Sequence, residues 1–362
     1  MNILALNGGS ATVKAAWFAL QGGALLRDGH WNVARDGDDA GLARLAGELP
    51  AAPQLVVHRI VHGGDRFAAA TVLDDAVLAT LRAFVPLAPL HQPFNLDIVA
   101  AARHQWPQAL HVGCFDTAFH QTQTDLQRRY ALPRALHERG IKRYGFHGLS
   151  YAYVSAALYA QEPALQQGKV VIAHLGSGAS ACAVQGGRSV ASSMGFSPLD
   201  GLVMSTRCGQ LDPGVLLHLL REGADVQALE KLLYKQSGLL GVSGTTGDLR
   251  ELLQDGREAA QEAVELFVQR CCTVIAELAA AMQGIDVLVF TGGIGEHQSA
   301  TRARIVQRLG WLGAALDEQA NHEHDWRISP PAARLQVFVV PTDEEREMVQ
   351  QALPLMEAAQ SS

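Results

Sequence analysis

The feature of this sequence that most constrains its fold is a gapless internal repeat. The segment ILALNGGSATVKA at residues 3–15 aligns with VIAHLGSGASACA at residues 171–183. Both copies read as an apolar stretch, a Gly/Ser turn and a second apolar stretch, which predicts two antiparallel hairpins. Chance similarity between two glycine-rich hairpins is the alternative explanation. A true repeat predicts two related halves, each presenting backbone N–H groups in a turn suited to a phosphate.

Hydrophobic patterning extends both halves into alternating strands and helices, which is typical of an α/β protein with two domains. The first half has predicted strands at residues 3–6, 12–20, 54–60 and 111–115 and predicted helices at 76–84 and 96–104. The second half has predicted strands at 169–175, 181–185, 286–290 and 335–340, a long helix at 257–282 and a closing helix at 344–357. A glycine turn at 291–295 is expected to end its strand.

Composition narrows the possible partners. The chain has 362 residues, enough for two domains, and its net charge of −7 gives no bulk attraction for nucleic acid or an anionic membrane. No apolar run approaches the ~20 residues of a membrane span, and the start lacks the basic segment of a signal peptide. The five cysteines lack CxxC spacing, which argues against a disulfide framework or a zinc site and favours the cytoplasm. An anionic substrate must therefore be bound by a few placed cations.

Charged and polar residues stand in apolar surroundings where the predicted strands end. No P-loop lysine motif and no helix-opening GxGxxG is present, so any nucleotide would bind on hairpin turns instead. Each polar residue taken singly is as easily a satisfied structural group, but a buried charge needs a partner or a ligand, and their number favours a shared cleft. The residues are Arg59, His62, His91, Asp116, Thr117, His120, His147, His174 and Arg207.

These segments resemble the acetate kinase family, which includes the propionate and butyrate kinases. The opening NGGSATVK resembles the family's Asn-x-Gly-Ser-x-Ser-x-Lys signature. Counterparts follow in the same order over nearly the whole chain, and the stretch from SMGF to DPG is the most specific of them. They are HRIVHGG, APLHQPFN, FDTAFHQT, YGFHGLS, HLGSGAS, SMGFSPLDGLVMSTRCGQLDPG, GVSGTTGDLREL, FTGGIGEH and PTDEE.

The resemblance implies a fold and a reaction. The family belongs to the actin, hexokinase and sugar-kinase superfamily, which implies an α/β fold of two duplicated ribonuclease H-like (actin-like ATPase) domains flanking a nucleotide cleft. The N-terminal domain would comprise residues 1–119 with 345–362, and the C-terminal domain residues 120–344, with the nucleotide loops and the dimer interface. The implied reaction is the reversible Mg²⁺-dependent transfer of the γ-phosphoryl of ATP to acetate, giving acetyl phosphate and ADP by direct in-line displacement.

The catalytic and metal residues come from the same resemblance. Arg59 and Arg207 match the two arginines that bind the carboxylate and stabilise the transferring phosphoryl, which suits a bidentate cation. His147 matches the histidine that donates to the phosphoryl, and Asp116 a catalytic carboxylate that orients an arginine or the metal environment. The family's metal residues are matched by Asn7 and Glu344, which would hold Mg²⁺, with Mn²⁺ as a substitute.

The remaining matches concern the acid and the nucleotide. The methyl pocket of the family is matched by Val61, Leu90, Phe146 and Pro198, and Val61 narrows it in favour of acetate over propionate. The phosphate-loop and nucleotide positions are matched by Ser10, Thr12, Lys14, His174, Leu175, Gly176, Ser177, Gly178, Asp248, Leu249, Arg250, Gly292, Gly293, Ile294, Gly295 and Glu296. The chain departs from the family pattern at Ala11, Thr12, Ser177, Thr246, Gly247 and His297.

Two other activities remain open at this point: a propionate or butyrate kinase, and a non-catalytic actin-like nucleotide-binding protein. The resemblance also implies a homodimer, with apolar helices of the second half as the candidate interface. His322, Glu323 and His324 are expected to form a surface loop rather than a metal site. The vicinal Cys271 and Cys272 are expected to pack inside a helix.

Overall fold

The computed structural model describes residues 1–8, 12–34 and 38–361, and these residues form two compact units. Unit 1 comprises Met1–Gln121, Gly148–Tyr153 and Asp343–Ser362. Unit 2 comprises Thr122–His147 and Val154–Thr342.

Each unit is built on one twisted mixed sheet. The strands of unit 1 are β1 (Asn2–Gly8), β2 (Thr12–Gln21), β3 (Ala24–Ala34), β4 (Leu55–Ile60), β5 (Thr71–Val72) and β6 (Leu110–Phe115). The strands of unit 2 are β7 (Lys169–Leu175), β8 (Ala179–Gln185), β9 (Arg188–Ser192), β10 (Val287–Thr291) and β11 (Gln336–Val339).

The order of the strands repeats from one unit to the other. The first sheet runs β3-β2-β1-β4-β6-β5 and the second runs β11-β10-β7-β8-β9, which is the same order over five strands. In both units the hairpin is antiparallel. Its first strand pairs in parallel with a third strand, β4 or β10, which in turn pairs in parallel with a fourth, β6 or β11. The repeat seen in the sequence is thus a repeat of topology, and the predicted α/β class is confirmed.

Helices connect the strands along the described chain. They are α1 (Asp38–Glu48), α2 (Asp75–Ala83), α3 (Gln92–Gln105), α4 (Asp125–Arg128), α5 (Arg134–Glu138), α6 (Gly148–Gln161), α7 (Pro213–Arg221), α8 (Val226–Lys235), α9 (Gly238–Ser243), α10 (Leu249–Gln254), α11 (Glu258–Ala281), α12 (Gly292–His297), α13 (Ser299–Arg308), α14 (Glu318–Glu323) and α15 (Glu344–Gln360).

The core of unit 1 lies on both faces of its sheet. On one face, Ile3 and Val57 pack with Met348 and Val349 of α15. On the other face, Leu4, Leu6 and Val56 pack with α1 and α3. This alternation along β1 follows the two-residue period of a strand, and it assigns every odd-numbered side chain of β1 to the α15 face.

In unit 2 the long helix α11 packs along β7, β8 and β9. Its apolar residues recur at helical spacing, so one stripe is buried, including Val264, Phe267 and Cys271. The expectation that Cys271 and Cys272 lie in a helix is therefore confirmed.

The structure divides the chain at different points from those expected from the sequence. Gly148–Tyr153 belongs to unit 1, although the sequence placed it within the second domain. The reason is local packing: Leu149 joins the core cluster of Ile3 and Met348, and the ring of Tyr151 contacts His120.

Three local expectations were incomplete or wrong. Strand β3 was not predicted, because its described side chains are all exposed or half-buried and carry no apolar run. The glycine segment at 291–295 was expected to be a turn, but Gly292 begins the short helix α12. His322 and Glu323 lie in α14, with His324 as its left-handed C-cap, rather than in a loop.

Over the described residues, no helix combines the length and the apolar composition that a membrane span requires.

We predict that the stability of unit 1 falls at acidic pH because of His62. This side chain is fully buried, and burial lowers its pKa to about 4, with Asp65 opposing. The unfolded chain binds a proton near pH 6.5 that the folded chain rejects until about pH 4, so the free energy of unfolding decreases across this window. The loss for this residue should be about 2 kcal/mol between pH 6.5 and 5.

Urea unfolding at several pH values measures this effect. His62→Asn should remove that part of the slope, whereas His30→Asn, at an exposed side chain of the same unit, should leave it unchanged. The stacked pair of His58 and His111, whose pKa values are also lowered first by burial, contributes to the slope that remains. Equal pH dependence in the wild type and His62→Asn would contradict the assignment.

Candidate functional site

In unit 1, a buried carboxylate at the end of β6 holds an arginine of β4. Asp116 is 1% exposed, and its two oxygens accept hydrogen bonds from Arg59 Nε at 3.0 and 3.1 Å. Arg59 Nη2 donates to Oδ2 of the same carboxylate at 2.6 Å. This side-on bidentate contact fixes the plane of the guanidinium. Because β1, β4 and β6 run parallel, the side chains near their carboxyl ends meet at one edge of the sheet.

Asn7 of β1 extends this pair toward the start of α15. Arg59 Nη1 donates to Asn7 Oδ1 at 3.2 Å. Asn7 Nδ2 donates to carboxylate oxygens of Glu344 and Glu345, both at 3.0 Å. The contact follows from the register of β1, because Asn7 shares the α15 face with Ile3.

The charges at this edge favour a permanent cation on Arg59. Burial opposes the charged guanidinium, but Asp116, followed by Glu344 and Glu345, outweighs it and raises the pKa of Arg59. Burial also raises the pKa of Asp116, against the lowering effect of Arg59. The guanidinium of Arg59 is therefore held in its charged form, and its charge favours the ionised form of Asp116.

The two predicted magnesium residues, Asn7 and Glu344, lie together, with Glu345 beside them. The carboxylates supply the oxygen ligands that Mg²⁺ takes, whereas the amide of Asn7 turns its nitrogen to them and its oxygen to Arg59. Among the described residues no cluster of three or more His, Cys, Asp or Glu side chains is arranged as a metal cage. The set fits a cation that keeps most of its own waters and phosphate ligands.

The four residues of the expected methyl pocket divide between the units. In unit 1, the backbone N–H of buried Val61 donates to Asn95 Oδ1 at 3.0 Å, and Leu90 is half-buried in the turn before α3. In unit 2, Phe146 is fully buried, and the carbonyl of buried Pro198 accepts from Arg207 Nη1 at 3.0 Å. Arg207 is thus positioned by the backbone of the long SMGF–DPG segment.

In unit 2, two histidines and Arg207 surround the second Gly/Ser turn. The rings of His147 and His174 stack with centroids 4.4 Å apart, and His147 Nδ1 is 2.7 Å from Ser180 Oγ. A Cβ on Gly178 would lie 3.6 Å from His147 Nε2 and 3.9 Å from Arg207 Nη1. The turn, the imidazole and the guanidinium therefore face one small volume, which suits a phosphate.

His147 also has an unusual backbone. Its φ of 59° lies in the left-handed region, at the N-cap of α6. A non-glycine residue in this conformation stores a small strain that the surrounding structure must offset, and such residues concentrate at functional sites.

A pocket of about 420 Å³ in unit 2 gathers most of the predicted adenosine-end residues. Its lining is Gly176, Ser177, Ser205, Gly247, Asp248, Leu249, Arg250, Gly293, Ile294, His297 and Gln298. Four of these, Ser205, Gly247, His297 and Gln298, were not among the predicted site residues. Ser205 had one available signal, its place in the SMGF–DPG segment, and its backbone N–H donates to the carbonyl of Ser177 at 3.2 Å.

Other predicted nucleotide residues lie beside this pocket rather than in its lining. Leu175 ends β7, and its carbonyl lies 2.8 Å from where a Cβ on Gly292 would be, which with a φ of +76° explains the glycine there. Gly295 is buried. Glu296 Oε1 accepts from the backbone N–H groups of Gly292 at 2.9 Å and Thr342 at 3.1 Å, so this carboxylate ties the loop together.

The first Gly/Ser turn is described only in part. Ser10 lies outside the described residues. Thr12 and Lys14 of β2 are exposed, and the register places Lys14 opposite Asn7, on the same face of the sheet.

The two sheets of equal strand order, with cationic and glycine-rich groups at the carboxyl ends of their parallel strands, define a phosphotransferase of the actin-like ATPase class. The Acetokinase family model matches residues 45–350. This chain belongs to the acetate kinase family.

Relatives and solved structures agree with this assignment. The chain is 48% identical over 301 residues to an acetate kinase of Methylocella silvestris, covering 83% of this chain and 74% of that protein. It is 47% identical over 313 residues to an acetate kinase of Nitrobacter hamburgensis, covering 86% and 78%. The crystal structure of Porphyromonas gingivalis acetate kinase matches 98% of this chain and 99% of that one, with a TM-score of 0.88 and 34% identity. A propionate kinase from Francisella tularensis matches 97% and 98%, with a TM-score of 0.89 and 33% identity.

We predict that Gly148→Ala impairs the Arg59–Asp116 pair. A Cβ on Gly148 would lie 2.2 Å from the carbonyl oxygen of Asp116 and 2.9 Å from Phe119 Cβ, so the backbone of Asp116 must shift. Because Asp116 orients Arg59, a shift of its backbone should lower kcat about 100-fold. Steady-state kinetics measure this loss.

Gly47→Ala is the matched control in unit 1, because a Cβ there meets nothing within 4 Å. Gly47 lies inside α1, so this control should keep full activity and gain slightly in stability. Full activity in Gly148→Ala would contradict the prediction.

Proposed function

We propose that this protein is an acetate kinase, which transfers the γ-phosphoryl of ATP reversibly to acetate and gives acetyl phosphate and ADP. The observation that carries the proposal is the arginine of unit 1 held side-on by Asp116, in a chain 48% identical to an acetate kinase. A carboxylate acceptor needs a rigid, permanently charged, bidentate donor, and Arg59 has these properties.

Arg59 binds the acid. Its bonds to Asp116 and Asn7 use three of the five guanidinium N–H groups, and among the described residues they leave one N–H on each terminal nitrogen. These two N–H groups form the fork that matches a carboxylate. Asp116 is a positioning residue in this scheme, because it acts through Arg59 rather than on the substrate.

Arg207 and His147 act on the phosphoryl group. A carboxylate oxygen of acetate attacks the γ-phosphorus, a P–O bond forms, and the bond from the γ-phosphorus to the β,γ-bridging oxygen breaks, so ADP leaves with the electron pair. No proton transfer is required. Negative charge on the equatorial oxygens is stabilised by the guanidinium and the imidazole that converge at Gly178.

Mg²⁺ belongs to the proposal as the cation of the nucleotide phosphates. Asn7 and Glu344 would hold it through oxygen atoms, with Mn²⁺ as a substitute. When bound, it neutralises phosphate charge that the two arginines alone leave uncompensated. As placed, Asn7 Nδ2 faces both carboxylates and Oδ1 accepts from Arg59. Metal binding would turn this amide to present its oxygen and release Arg59 Nη1, while the bonds to Asp116 still hold the guanidinium.

A second candidate function differs from the first in the acid that accepts the phosphoryl group. The structural similarity to a propionate kinase supports propionate as the alternative acceptor. Val61, buried and fixed through Asn95, supports the smaller acid. One methylene group is worth only ~1–3 kcal/mol, so propionate should be a slower substrate rather than an excluded one.

We predict that the hydroxylamine trap detects acyl phosphate from acetate, Mg²⁺ and ATP, with a higher kcat/KM for acetate than for propionate or butyrate. Arg207→Ala should lower kcat about 100- to 1000-fold, since one charge-stabilising donor is lost. Arg207→Lys should recover little of it, because an ammonium cannot make a bidentate contact.

Arg188→Ala, at an exposed arginine of the same unit, is the matched control and should keep full activity. A folded Arg207→Ala with wild-type turnover would refute the role of Arg207. A preference for propionate would replace acetate as the acceptor, and no acyl phosphate from any of the three acids would refute the kinase itself.

We also infer a homodimer formed through α7 and α8, and we keep the expectation of a cytoplasmic location. Neither helix buries any of its residues within the chain. Large apolar side chains are exposed along this segment, and such a patch is typical of a protein interface. They are Leu211, Val215, Leu217, Leu220 and Val226.

Leu217→Glu should convert the dimer into a monomer of 38.7 kDa, as measured by light scattering after size exclusion. Leu126→Glu introduces the same charge at an exposed leucine of α4 and should leave the dimer intact. A monomeric wild-type protein would overturn the inference.

A further inference from the structure

Helix α13 buries an arginine that the reaction scheme does not use. Arg302 is 0% exposed, and its guanidinium donates five hydrogen bonds of 2.7–2.9 Å. The acceptors are Asn321 Oδ1, the carbonyl oxygens of Gly295, Glu296 and Asn321, and Nδ1 of His324.

All five acceptors are neutral. A buried cation without a carboxylate partner pays a desolvation cost that hydrogen bonds offset only in part. Burial accordingly lowers the pKa of Arg302 to about 10, which still leaves it charged near pH 7. Stability alone is a poor explanation for an arginine here, because an apolar or neutral side chain would avoid the cost.

The bonds of Arg302 reach the nucleotide pocket through α12. Gly295 and Glu296 lie in the last turn of this helix, whose carbonyl groups have no partner further along the helix and form the negative end of its dipole. Gly293, Ile294 and His297 of the same helix line the pocket. A cation behind the carbonyl end therefore fixes the helix that forms one wall of the pocket.

The other end of α12 is fixed as well. The carboxylate of Glu296 accepts from the N–H of Gly292, where the helix begins, and from the N–H of Thr342. The helix has six residues, three of them glycine, so its intrinsic tendency to form is low. Outside support is needed to keep it in one position.

The segment of His322 to His324 acquires a role from this arrangement. Asn321 and His324, at the end of α14, supply three of the five acceptors of Arg302. The ring of His324 also lies 6.3 Å, centroid to centroid, from that of His297 in the pocket wall. The end of α14 therefore supports α12 through Arg302, which bonds to both.

We propose that Arg302 is a positioning residue for the nucleotide: by joining the carbonyl end of α12 to the end of α14, it holds the wall of the adenosine pocket in its binding geometry. This inference rests on the proposed function, in that the pocket binds the nucleotide. It adds a residue that touches neither substrate and sets nucleotide affinity through the backbone of Gly295 and Glu296.

The test is calorimetric binding of Mg-ADP to the purified full chain, together with thermal unfolding and the KM for acetate. Arg302→Gln should weaken Mg-ADP binding at least about tenfold, because two carbonyl contacts to a charged donor are lost. The KM for acetate should stay within about twofold, because the acid binds at Arg59. Arg302→Lys should recover part of the affinity by keeping one of the contacts.

Arg304→Gln is the matched control, since Arg304 lies on the same helix but bonds to Glu265 of α11. It should leave the affinity for Mg-ADP unchanged. A purely structural role of Arg302 predicts a lower melting temperature with wild-type affinity in the folded protein, and that result would overturn the inference.

A second variant covers the case in which Arg302→Gln fails to fold. Asn321→Ala removes one acceptor of Arg302 and keeps the charge, and it should still weaken Mg-ADP binding severalfold. Unchanged affinity in that variant would also overturn the inference. A folded wild type that does not bind Mg-ADP refutes the proposed function instead, so the two failures are distinguishable.

Discussion

The architecture of unit 1 depends on one interaction, the contact between the buried carboxylate of Asp116 and the guanidinium of Arg59. A carboxylate that is 1% exposed needs a cation, and the neighbouring parallel strand β4 supplies it at the end of β6. The same contact occupies Nε and Nη2 on one side of the guanidinium, while Nη1 donates to Asn7. In the proposed function, the ion pair that stabilises unit 1 also orients Arg59 for the acid.

The repeated strand order places comparable positions at the carboxyl ends of both sheets. Unit 1 presents Arg59 and Asn7 there, and unit 2 presents His174 and the glycine segment after β10. The same strand order thus carries different groups in the two units: an arginine held by a carboxylate in unit 1, and imidazole and glycine backbone groups in unit 2. The helix α12, held by Glu296 and Arg302, has no counterpart that the repeat alone would indicate.

The sequence predicted what depends on local pattern. Apolar periodicity predicts both hairpins, the central strands and α11. The motifs shared with the family contain most of the residues that line the pocket. The sequence missed β3, which carries no fully buried stripe. It also missed the helical state of α12, which depends on long-range bonds from Thr342 and Arg302. The sequence also missed Asn95 of α3, whose amide oxygen accepts from the N–H of Val61. No local pattern distinguishes a buried polar side chain of this kind from a solvated one.

The most direct test of the account is a double-mutant cycle on kcat/KM for acetate with Arg59→Met, Asp116→Asn and the double variant. If Asp116 acts only by holding Arg59, each single variant loses a large part of the activity and the double variant loses little more than Arg59→Met alone. Burial raises the pKa of Asp116 and Arg59 lowers it, so Arg59→Met removes the charge that favours the ionised carboxylate. Losses that add in the double variant would contradict the account, because Asp116 would then act on the reaction independently of Arg59.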